Sequence, residues 1–224
     1  VPADQAAGLR RLRQAQTPIC VTCFLARAAS TQALLRALSV LGKRILLVDM
    51  DGRHLAVSRT QSLFDWRQQL QRRQLQGLPL PHGEGLYAPG AQGGDAEILE
   101  AAHAYDCVVF DAGVLSSSLA LATGRTQTLV LQVDATADSL ALGYSLLKTL
   151  HAADSASNVL LYGAASACIR LTQAARHFLG EAMARRMWAA AEEDEHFAAL
   201  AARIAAEETG HQAREEAGVT PKHG

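Results

Sequence analysis

The chain has 224 residues, 49% of them hydrophobic, and a formal net charge of −1 at pH 7. That length supports one sizeable core rather than two. The near-zero charge excludes a dedicated nucleic-acid binder, whose phosphate contacts need a basic excess. No uninterrupted apolar run approaches the roughly 18 residues needed to span a bilayer, and no charged-then-apolar leader precedes the first strand, so a cytoplasmic location is expected.

In chain order, Arg10, Arg11 and Arg13 are the nearest thing to a basic patch. Short apolar runs then alternate with longer segments of helical pattern. Strands are predicted at 19–23, 44–49, 85–88, 107–111, 128–133 and 158–162, and helices at 30–41, 60–75, 95–104, 117–124, 139–153 and 169–179. Leu34, Leu35, Leu38 and Leu41 form a stripe on the first of these helices, which Gly42 ends, as Gly180 ends the last. Residues 76–94 are rich in Gly and Pro and read as loop interrupted by one strand. Residues 186–208 are alanine-rich with an acidic cluster at 192–195, and 209–224 read as a disordered polar tail. Most strands are apolar throughout, as in strands covered on both faces. The expected fold is therefore α/β: a doubly wound, mostly parallel sheet with helices on both faces, over residues 15–208.

Cys20 and Cys23 have the C-x-x-C spacing of a metal motif, but residues three apart on a strand point to opposite faces. Cys107 also begins a strand. Buried free thiols are the favoured reading, and no metal is assigned.

Asp49 and Asp51 end the second strand and Asp111 ends another, followed by Gly113. Carboxylates at the C-terminal edge of parallel strands face the crevice where α/β proteins bind ligands. Each could instead cap a loop or the following helix. Residues 21–31 stand where a protein of this layout carries a phosphate loop, yet they contain no glycine and no lysine. Such a loop needs glycines to curl its N–H groups around an anion, a lysine to neutralise it and a Ser/Thr to hold magnesium. Thr31 alone fits.

Val21-Thr22, Gly42-Lys-Arg-Ile-Leu-Leu-Val-Asp-Met-Asp51, Tyr105-Asp-Cys-Val-Val-Phe-Asp111 and Thr136-Ala-Asp-Ser-Leu-Ala-Leu-Gly-Tyr-Ser-Leu-Leu-Lys148 resemble the MinD/ParA group of deviant phosphate-loop ATPases, over approximately residues 18–179. Asp4-Gln-Ala-Ala-Gly-Leu-Arg10 resembles the D-Q-A-x-x-L-R motif of the FlhG (FleN) flagellar number regulators within that group. In that family the N-terminal segment engages the signal-recognition-type GTPase FlhF and stimulates GTP hydrolysis. The resemblance implies an activating helix in residues 1–14 that carries Asp4, Gln5, Ala6, Leu9 and Arg10. Asp4 suits a helix start, Ala6 and Leu9 share a face with Leu12 and Arg13, and Gln5 offers an amide able to orient water or phosphate. A solvated amphipathic helix is the plainer reading of the same residues.

The departures from the family pattern point to a vestigial nucleotide site. Leu25 takes the place of the lysine that reaches across an ATP-sandwich dimer, and Ser30 that of the phosphate-loop lysine. Arg27 and Ala29 replace glycines, and Tyr162-Gly163 stands where an adenine-side Asn is expected. Leu25, Arg27, Ser30, Thr31, Asp49, Asp51 and Asp111 make up the degenerate site. The expectation is a nucleotide-independent pseudo-ATPase with no cofactor, no metal, no nucleic-acid partner and no ATP-dependent dimer, which binds an FlhF-type GTPase and is recruited through it to the cell pole. Phe197, Leu200 and Ile204 are only a weak counterpart of the family's C-terminal membrane helix. Two alternatives remain open: an unorthodox ATPase that uses Asp49, Asp51, Asp111 and Thr31 with a rebuilt loop, Arg27 being a minor candidate to bind phosphate in place of lysine, and a polar-localisation adaptor with another client.

Overall fold

A computed structural model describes residues 18–55, 68–70, 72, 75–79, 102–113, 127–153, 157–190 and 196–206. Seven parallel strands form one sheet: β1 (Ile19–Phe24), β2 (Ile45–Asp49), β3 (Gly77–Pro79), β4 (Cys107–Asp111), β5 (Thr128–Val133), β6 (Asn158–Gly163) and β7 (Met187–Ala189), in the spatial order β3-β2-β4-β1-β5-β6-β7. The helices are α1 (Ala28–Val40), α2 (Ala137–Ala152), α3 (Ala165–Leu179), the single turn α4 (Glu181–Ala184) and α5 (residues 196–206).

Side chains alternate across each strand, so every buried strand feeds two cores. On one face Cys20, Leu46, Val48, Val108, Phe110, Leu129, Leu131 and Leu161 meet Leu146, Leu147 and Leu150 of α2 and Cys168 and Leu171 of α3. On the other, Val21, Cys23, Leu47, Cys107, Val109, Val130 and Leu160 meet Leu34 and Leu38 of α1 and Leu200, Ala201 and Ile204 of α5. Cys20 and Cys23 therefore lie in opposite cores, and all four cysteines are buried and outside any disulfide. Covering both faces is what allows a parallel sheet to be apolar along its whole length.

The helical stripe of α1 holds at Leu34 and Leu38, both 0% exposed, while Leu41 lies past the helix end and is 47% exposed. Gly42 turns the chain there with φ 75°, a backbone that side chains with a Cβ resist. Several stretches differ from the sequence expectation. Residues 77–79, expected in a loop, form the edge strand β3: Leu78 is 1% exposed, and an edge is where a strand tolerates Pro79. The helix expected to reach residue 75 has already ended there, because Leu47 N–H bonds to Gln76 O and the β2–β3 ladder begins. Within 95–104, residues 102–104 are turn. The short strand β7 was not anticipated; three residues are too few to display a period. The strand at 85–88, the helix at 117–124, the segment 1–14 and the tail 209–224 lie outside the described residues.

Candidate functional site

From β1 the chain winds outward through β2 to β3, returns at β4, and continues the other way from β5 to β7. This reversal opens a crevice beyond the C-terminal ends of β1, β2 and β4, the position where open α/β sheets bind ligands. Register sets Asp111 beside both Cys23 and Asp49. Two carboxylates, each 0% exposed, therefore stand on adjacent strands and on the same face as Cys23. Buried like charges at such spacing persist only if other groups compensate them.

The compensation comes from residues 51–55, directly after β2. Arg53 forks onto Asp111, with Nη2 donating to Oδ1 at 2.6 Å and Nε to Oδ2 at 3.1 Å. The same guanidinium donates to Leu25 O at 2.7 Å and Ala26 O at 3.1 Å, and Nε lies 3.4 Å from Asp51 Oδ2. Burial alone would lower the pKa of Arg53, but the hydrogen bond to Asp111 and the charges of Asp111, Asp51 and Asp49 outweigh it and raise it above the ordinary arginine value. His54 Nε2 contacts Asp111 Oδ2, its Nδ1 lies 3.1 Å from Gln32 Nε2, and its side chain is 2% exposed.

Asp49 has a different task. Its Oδ1 accepts the Arg53 N–H at 3.2 Å, and its Oδ2 accepts those of His54 and Leu55, each at 2.8 Å. The loop-capping reading of this carboxylate is the one its contacts bear out. Asp51 instead lies over Gly113. A Cβ there would come within 2.3 Å of Asp51 Oδ2, and φ is 63°, so the turn after β4 needs glycine.

Only residues 25–27 connect β1 to α1. This short link turns carbonyl oxygens, those of Leu25 and Ala26, toward a cation, the reverse of the N–H cradle an anion needs. Ala26 N–H itself is taken by Gln132 Oε1 at 2.9 Å. Leu25 is 0% exposed in the core, Arg27 is the exposed N-cap of α1 with no side-chain capping bond, and Ser30 lies in the first turn, its N–H bonded to Arg27 O. Thr31 is fully buried, and its hydroxyl has no hydrogen-bond partner among the described residues. At the β6 edge, Tyr162 packs its ring on Phe197 at 4.9 Å and edge-on to His196 at 5.3 Å. The apolar residues Leu200 and Ile204, weighed above as part of a membrane helix, are 0% exposed against the sheet. No helix among the described residues is long and apolar enough to cross a membrane.

The structure thus brings Leu25, Asp49, Asp51 and Asp111 to one crevice with two residues that sequence reasoning missed, Arg53 and His54. The signal available was weak: a basic pair four and five residues after a strand carboxylate has no periodicity or motif. Asp49, His54 and Asp111 each offer a ligand atom within 4.8 Å of the others. The activating residues Asp4, Gln5, Ala6, Leu9 and Arg10 lie outside the described residues.

Fold and site together define a doubly wound parallel α/β protein whose crevice is lined by carboxylates and filled by its own arginine. No family model matches the chain, and no curated protein matches it. Among solved structures it is similar to the MinC:MinD cell division protein complex of Aquifex aeolicus, with 14% identity, a TM-score of 0.45, and 92% of this chain and 98% of that chain covered.

Proposed function

We propose that this chain is a nucleotide-independent regulator of the FlhG type: a pseudo-ATPase whose N-terminal helix binds and stimulates an FlhF-type signal-recognition GTPase, which in turn governs flagellar number or placement. The observation that carries the first half is Arg53, whose guanidinium occupies the crevice and bonds Leu25 O, Ala26 O and Asp111 together. An ATP phosphate entering there meets carbonyls and carboxylates instead of amide donors, and finds no lysine in residues 21–31. Leu25 is an uncharged core residue at the place of the lysine that would reach across an ATP-sandwich dimer, so light scattering should give a mass unchanged by ATP.

The second half rests on Asp4-Gln-Ala-Ala-Gly-Leu-Arg10. Phosphoryl transfer gains most from a positioned water and added charge stabilisation, which a partner can supply through an amide and a guanidinium. Gln5 and Arg10 are the groups of those types, and Leu9 is the apolar anchor. The protein is then recruited to the pole through its GTPase.

The test is a pull-down and GTPase assay with an FlhF-type partner, comparing the intact chain with one lacking residues 1–14. The truncated chain should neither bind nor stimulate. Gln5→Ala should lower stimulated hydrolysis and keep the complex, whereas Leu9→Asp should weaken the complex itself. If truncation leaves stimulation intact, the FlhG-type reading is wrong.

A further inference from the structure

The charge in the crevice does not balance. Asp49, Asp51 and Asp111 face one guanidinium and one imidazole, and the two carboxylates with 0% exposure are the ones nearest His54. Buried charges in proteins are paired or coordinate metals. We propose that Asp49, His54 and Asp111 form a site for one divalent transition-metal ion of the zinc class, bound without nucleotide.

The donor set and its surroundings both fit such an ion. One ligand atom from each residue lies within 4.8 Å of the others. Asp49 Oδ1 accepts a single N–H at 3.2 Å and keeps capacity for an ion, while Oδ2 is used twice at 2.8 Å to hold the loop that carries His54. Asp111 has its Oδ1 tied to Arg53 Nη2 and to Gly113 N–H at 3.3 Å, and its Oδ2 accepts Arg53 Nε at 3.1 Å on one side while facing His54 Nε2 on the other, which fixes the carboxylate toward the imidazole. Gln32 completes the arrangement. Its terminal amide is 3.1 Å from Nδ1, and the amide oxygen and nitrogen are exchangeable by a flip. With the oxygen at that place Gln32 accepts the Nδ1 proton and leaves the Nε2 lone pair for an ion, the outer-partner arrangement typical of metal-bound histidine. One nitrogen and two carboxylate oxygens favour Zn²⁺, Co²⁺ or a similar ion over Mg²⁺, which prefers an octahedral set of oxygens. Arg53 and Gln32 become the outer hydrogen-bond partners, and Thr31 takes no part. The site depends neither on the client nor on the activating helix.

Co²⁺ is a direct probe because its visible absorption reports a nitrogen- and oxygen-ligated ion. The chain, purified without a metal-affinity tag and dialysed against chelator, is titrated with CoCl₂ alone and then with ZnCl₂. A visible band saturating at one equivalent, displaced by Zn²⁺ and unmoved by millimolar Mg²⁺, is expected. His54→Ala should lose that equivalent while keeping the wild-type circular dichroism, and Gln32→Ala should keep it with affinity about tenfold weaker. Absence of a saturable equivalent in the wild-type chain overturns the proposal, as does its survival in folded His54→Ala. The wild-type titration decides the matter even if a variant does not fold.

Discussion

Replacing Arg53 with methionine keeps a long flexible side chain and removes its charge and all its donors. Asp111, with 0% exposure, then retains among the described residues only His54 and the Gly113 N–H at 3.3 Å, and Leu25 O and Ala26 O lose their shared donor. Removing one partner of a buried ion pair costs about 3–5 kcal/mol because the other charge is left uncompensated. The Arg53 side chain is 16% exposed and so partly solvated, which sets the expectation near the lower end, about 3 kcal/mol. For a domain of this size each kcal/mol moves Tm by about 2–4 °C, so Tm should fall by about 6–12 °C. Urea unfolding followed by circular dichroism measures the free energy, and Arg53→Met/Asp111→Asn should recover much of the loss because the orphaned charge is gone. A single variant within about 0.5 kcal/mol of wild type would refute the reasoning, since that is the range of surface substitutions away from any such feature.

Thr31→Val removes a buried hydroxyl that has no partner among the described residues and should raise stability by about 1 kcal/mol, read by the same urea experiment; a loss would mean that the hydroxyl has a partner. The hydrogen bond from Arg44 holds the Asp106 carboxyl below its ordinary range. A depressed folded pKa stabilises above the unfolded value of about 3.9 and is lost as pH falls through the folded one. Asp106→Asn should therefore cost stability at pH 7, with the gap to wild type closing towards pH 2. Burial, and then the neighbouring Asp111 and Cys107, push the Cys23 thiol up well beyond any offset from Arg53, and burial raises Cys168 too. Ellman's reagent should leave the folded protein unmodified at neutral pH and titrate four thiols in guanidinium; rapid reaction of the folded chain would contradict that packing.

What was legible in the sequence follows from how far each signal extends along the chain. β1, β2, β4, β5 and β6 are five or six residues of nearly unbroken apolar sequence, and α1, α2 and α3 each span more than three turns, so periodicity and length identify them. β3 and β7 are three residues each and owe their form to pairing with β2 and β6, a tertiary cause with no local mark. α3 begins four residues before the predicted start, since Ala165 and Ala167 are strong helix formers and Ala167 and Cys168 pack into the core. At the site, Asp49 and Asp111 were visible as carboxylates closing strands. Arg53 and His54 were not, because their importance arises when the β2 exit folds back over Asp111. The missing glycines of the β1–α1 link were readable; that its carbonyls bind an arginine was not.

Calorimetric titration of the intact chain with Mg-ATP tests the central claim most directly. With Arg53 bonded to Leu25 O, Ala26 O and Asp111, the account predicts no saturable heat for ATP or ADP up to millimolar concentration, with or without magnesium. A micromolar dissociation constant, corresponding to about −8 kcal/mol, would mean that the crevice opens to nucleotide, and the pseudo-ATPase reading would be wrong.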